Sequence, residues 1–165
     1  VSTTLWPRRI VAAALLVLAA CATPGLPGGS VRLSDVEDDG DPARRASLRL
    51  VERGLGDESG HPQLAVSDFE RAIQVDPTNP WAYLALARHY APTRPDRALE
   101  YLDQAQAMLD AEQMLSPRVE PHLLGIRGMA LRMRGDPSGD ALLEQARRMA
   151  PEAWGDGYLS PEELR

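Results

Sequence analysis

The sequence predicts an all-α protein built as a chain of helical hairpins, and three observations predict it. Ala and Leu dominate the apolar residues, while aromatics make up 5% with a single Phe, Phe69, which is the composition of closely packed helices rather than of sheets. Pro recurs directly after a capping side chain, at Asp41-Pro42, Asn79-Pro80, Asp136-Pro137 and Ser160-Pro161. There the cap oxygen accepts an orphan backbone N–H, and Pro at the first helical position loses no hydrogen bond. No long stretch alternates polar and apolar residues with a period of two, as a half-buried strand does.

The 165 residues allow one domain of ordinary size or a domain plus processed ends, and are too few for two domains. The formal net charge is −6, and all 18 basic residues are Arg, with no Lys, a bias of a GC-rich genome. An acidic chain without a basic stripe does not neutralise phosphates, so nucleic acid is excluded as a partner.

The first segment reads as an address. Residues 1–20 carry Arg8 and Arg9 and no acid, followed by an apolar run from Ile10 to Ala20, the layout of an export signal. The run is too short for a bilayer core, which takes about 20 apolar residues. Its end, Leu18-Ala19-Ala20-Cys21, resembles the lipobox of bacterial lipoproteins. That resemblance implies cleavage before Cys21, the only Cys in the chain, and a diacylglycerol on its sulfur. Acyl chains contribute about 0.8 kcal/mol per buried CH₂. It also implies, with Ala22 and not Asp after Cys21, the periplasmic face of the outer membrane. The mature chain would carry a net charge of −8, with sixteen Arg against twenty-four acids, so lipid and not basic charge would hold it to the membrane.

Residues 21–40 read as a linker. Ala22 to Ser30 is rich in Pro and Gly and stays extended, and Asp35, Glu37, Asp38, Asp39 and Asp41 form a self-repelling acidic stretch or a strip for a basic partner. Helices are predicted near 42–54, 62–75, 80–91, 95–113, 121–134, 138–149 and 161–164, from the capped prolines and from Pro62, Pro95 and Pro121. The tail, residues 152–165, with Trp154, Tyr158 and Leu159, is expected to fold back over the last hairpin as a cap.

One frame recurs along these helices. Ala65, Phe69 and Ala72 with Pro77 are followed by Ala98, Leu102 and Ala105, and by Gly139, Leu143 and Ala146 with Pro151. Positions i, i+4 and i+7 share a helix face, small residues let the facing helix approach, and the large one fills the gap. The preceding helices carry Tyr83, Leu86, Ala87 and Tyr90, then Leu124, Arg127, Gly128 and Leu131. The pattern over residues 41–151 resembles the tetratricopeptide repeat. The resemblance implies a right-handed α-α superhelix of about three hairpins, with the register of the first left open by the stretch from Gly54 to His61. It also implies that the first helices of the hairpins line a concave groove. Carried over position by position, that groove falls on Trp81, Leu84 and Arg88 in the middle repeat and on His122, Gly125, Met129 and Arg132 in the third. An aromatic, a Met and two Arg are common anchors of protein interfaces.

Chemistry is not indicated. His61, His89 and His122 show no metal-ligand spacing, no GxSxG elbow occurs, and without Lys there is no phosphate-cradling loop of the P-loop type. Neither metal nor cofactor is expected. The reading is a lipid-anchored scaffold for a protein or peptide of an envelope assembly: pilus, secretion, outer-membrane or cell-wall machinery. Two alternatives stay open: a small envelope hydrolase using groove carboxylates, and a purely structural lipoprotein acting through its acidic stretch.

Overall fold

The computed structural model describes residues 32–35, 41–111 and 118–165. The predicted signal segment, the predicted lipidation site Cys21 and most of the linker, including Glu37, Asp38 and Asp39, therefore lie outside the described residues.

The described chain is all-helical, without a strand among the described residues. A single 3₁₀ turn, Leu33–Asp35, precedes α1 (Pro42–Asp57), α2 (Pro62–Val75), α3 (Pro80–Tyr90), α4 (Pro95–Ala111), α5 (Glu120–Met133) and α6 (Ser138–Met149), and two short helices follow, α7 (Pro151–Trp154) and α8 (Pro161–Leu164). Consecutive helices pack as the hairpins α1/α2, α3/α4 and α5/α6, and contacts of α2 with α3 and of α4 with α5 stack these hairpins in order. No described helix is long and apolar enough to cross a membrane.

The starts of the helices follow from the capping side chains. Asp41 Oδ1 accepts from the Ala43 amide at 2.9 Å and Asn79 Oδ1 from Trp81 at 3.1 Å; Asp136 Oδ1 accepts from Ser138 at 2.9 Å, but the N-cap position of α6 is Pro137, without a side-chain cap, and not Asp136 as expected. Ser160 and Glu163 close a reciprocal capping box, so α8 forms despite having four residues. His61 gives no side-chain cap; the start of α2 rests on Pro62 at its first turn.

The recurring frame is the core. Ala65, Phe69, Ala72, Ala98, Leu102, Ala105, Leu143 and Ala146 are all buried, and each large side chain so buried contributes about 1.5–3 kcal/mol. One predicted boundary is corrected: α1 does not end at Gly54 but runs on to Asp57. Gly54 is an interior packing position, where a Cβ would stand 2.5 Å from Phe69 Cε1 and 3.1 Å from the Ala65 carbonyl oxygen. Helical Gly costs about 1 kcal/mol relative to Ala, and the close seat of Phe69 offsets that loss. This also fixes the register of the first hairpin. Gly54 precedes Ala65 by the same eleven residues that separate Ala87 from Ala98 and Gly128 from Gly139. Gly128 is pressed the same way, its hypothetical Cβ falling 2.9 Å from both the Gly139 carbonyl oxygen and Leu143 Cγ.

Candidate partner-binding face

α3 and α5 carry the seven residues that the sequence nominates for a partner groove, and the structure buries most of them. Trp81, Leu84 and Arg88 on α3 and His122 and Met129 on α5 are at most 5% exposed. Arg132, one turn beyond Met129, is exposed and lies 3.9 Å from Asp140. The first-helix face is not open because the C-terminal tail occupies it.

The tail leaves α6 through α7, which packs against α6. Trp154 is fully buried and lies over Gly125, where a Cβ would be 2.3 Å from Trp154 Cζ2. Its ring centroid is 6.4 Å from that of His122. Gly157, at φ 81°, turns the chain in the left-handed region that favours Gly. Arg88 Nη1 then donates to the Leu159 carbonyl at 3.2 Å, with the Leu159 side chain buried. Finally α8 packs on α1, and the Arg165 carbonyl accepts from the Ser34 amide at 3.0 Å. The segment thus covers the last hairpin and goes on to reach the first helices of all three, a longer course than an end cap requires.

Arg88 is the electrostatic centre of this face. Its guanidinium is 1% exposed and pairs with Glu58 from the α1–α2 connection, and the other Glu58 oxygen lies 2.7 Å from His89 Nδ1. Burial pulls the Arg88 pKa down. Burial, and then the cations Arg88 and Arg94, also push the His89 pKa below its usual value. Trp81 Nε1, Arg88 Nε and Trp154 Nε1 are buried without an acceptor among the described residues. A buried donor left unsatisfied costs about 1–3 kcal/mol, so the tail fills the face sterically without completing its hydrogen bonds.

Sequence reasoning nominated these residues as an open groove and did not foresee that the tail lies over Gly125 and Arg88. The available signal was Gly125: a residue without a side chain at a nominal groove position leaves room for a large ring, and Trp154 supplies it. Among the described residues, no group of three or more His, Cys, Asp or Glu side chains is arranged to hold a metal ion.

Compared with protein-family models, with curated proteins and with solved structures, the chain matches none.

Proposed function

We propose that this protein is a lipid-anchored adaptor of a bacterial cell envelope, a scaffold of three tetratricopeptide-like hairpins that binds a protein or peptide partner and converts no substrate. The anchor rests on Leu18-Ala19-Ala20-Cys21, and the periplasmic face of the outer membrane on Ala22 following it. The observation that carries the binding role is the seat of the tail. A buried Trp anchor over a Gly and an Arg donating to a backbone carbonyl are the kinds of contact with which a groove holds a foreign peptide. Trp81 Nε1 and Arg88 Nε, without an acceptor among the described residues, favour exchange for a segment that brings acceptors to them.

The test is crosslinking in intact envelopes, followed by purification of the anchored protein. Wild type is compared with Leu159→Ala, which weakens the tail seat, and with Cys21→Ser, which removes the acyl site. A recurrent envelope partner is expected with wild type, in greater yield with Leu159→Ala and lost from the membrane fraction with Cys21→Ser. Recovery indifferent to Leu159→Ala would remove the concave face as the partner site, and a Cys21→Ser protein that still carries lipid would remove the anchor.

A further inference from the structure

Among the described residues, no helix is stacked on the outer side of the α1/α2 hairpin. Once the register is fixed by Gly54, Ala87 and Gly128, Arg49, Leu50 and Arg53 of α1 occupy the positions that Ala82, Tyr83 and Leu86 hold in α3. Those α3 residues are at most 7% exposed, in a helix that packs on the preceding α2. No described helix precedes α1, and Arg49 and Arg53 are exposed.

The face is not simply a polar cap. Between α1 and α2 runs an open groove of about 520 Å³ lined by Ala46, Leu50 and Val75 and by Arg49, Arg53 and Arg71. Val75 is 37% exposed. Ala46, Arg49, Leu50 and Arg53 follow the i, i+3, i+4, i+7 spacing of one helix face, and Arg71 and Val75 stand one turn apart on α2. Arg53 is bound to Asp68 by two hydrogen bonds. Arg49 and Arg71 have no ion-pair partner among the described residues, in a chain of net charge −6.

The molecule shows what suits such a face. Arg127 of α5 occupies the position of Arg53, and there the preceding hairpin does stack: α4 packs on α5, and Arg127 donates to Asp103 Oδ1 at 2.9 Å and to Gln106 Oε1 at 3.0 Å. An amphipathic helix with an acid at the contact is thus the occupant this chain itself uses.

We infer that the α1–α2 groove is a second docking surface, which takes an acidic amphipathic helix of a partner protein stacked on α1 as α4 is stacked on α5. The apolar face of that helix covers Leu50 and Val75, and its carboxylates pair with Arg49 and Arg71. The surface is separate from the concave face, so it stands or falls independently of tail exchange.

The test is fluorescence anisotropy of the full-length protein in detergent. The probe is a fluorescein-labelled helical peptide with Leu on one face and Glu flanking it; the controls are the same peptide with Gln or Lys in place of Glu. Saturable binding of the Glu peptide is expected, with little binding of the Gln peptide and loss at about 1 M salt, where the Debye length is about 3 Å. The variant Arg49→Glu/Arg71→Glu changes two exposed side chains and keeps the helical signal. It should weaken the Glu peptide about tenfold or more, two surface pairs at up to about 1 kcal/mol each, and should gain the Lys peptide. Leu159→Ala should leave the binding unchanged. The proposal is overturned by absence of saturable binding, by equal affinity for the double variant, or by self-association of wild type that the double variant abolishes, which would give the face to a second copy.

Discussion

Arg88 Nη1 donates to the Leu159 carbonyl at 3.2 Å across 71 residues of chain, and the same guanidinium holds Glu58. Arg88→Met keeps much of the side-chain volume but leaves the Glu58 carboxylate with His89 alone. Removing one member of a buried pair costs about 3–5 kcal/mol, so urea unfolding should show a loss of that order. In Arg88→Met/Glu58→Gln the loss should be smaller than the sum of the two single losses; strict additivity would mean that the two residues do not interact.

Trp154 and Gly125 form a large–small pair at the centre of the tail seat. Gly125→Ala should destabilise by about 1–3 kcal/mol, because the new methyl overpacks a fixed ring. In the background of Trp154→Ala the same change should be nearly neutral. The thermodynamic cycle of the four proteins should therefore give a coupling above about 0.5 kcal/mol.

Gly54 and Gly56 lie in the same helix in opposite environments, and that contrast checks the register. Helix propensity alone favours Ala at both positions by about 1 kcal/mol. Gly56 is exposed, and a Cβ there meets nothing nearer than the end of Arg165 at 3.2 Å, so Gly56→Ala should be neutral or stabilising. Gly54→Ala drives a methyl into Phe69 and should lower the melting temperature.

Asp76 couples α1 to the start of α3. Burial on its own would raise its pKa, but hydrogen bonds from Arg44 at 2.5 Å and from Thr78 outweigh it and hold the carboxyl below its ordinary 3.8. With the folded value depressed, the unfolded chain takes up the proton first as pH falls. The contribution is complete above about pH 4 and is lost as pH drops through the folded pKa. Asp76→Asn should therefore be less stable than wild type near neutrality, and the gap between their stability curves should close in acid. A constant gap would show that the charge of Asp76 contributes nothing.

The hairpins were legible because their signals are local. A capping Asp, Asn or Ser before Pro marks a helix start whatever lies elsewhere, and Ala65, Phe69 and Ala72 announce a buried face by spacing alone. Gly54 was harder, since Gly marks a helix end as readily as a close approach, and only Phe69, fifteen residues on, decides between them. The tail was harder still. Nothing near Leu159 records that its carbonyl meets Arg88, and nothing near Gly125 records that Trp154 lies over it. The basic groove escaped notice because Arg49 and Arg71 are separated in sequence and stand in an acidic chain; they become a pair only when α1 and α2 are laid side by side.

A stack of hairpins touching only their neighbours can form one unit at a time, from either end. The tail alters that order. Its contacts with α5, α3 and α1 tie the last residues to the first hairpin, so the first-helix face remains without its cover until synthesis has delivered Leu159 and Leu164. Contacts between the tail and the first hairpin make the stability of the hairpins interdependent, where a plain stack couples only neighbours.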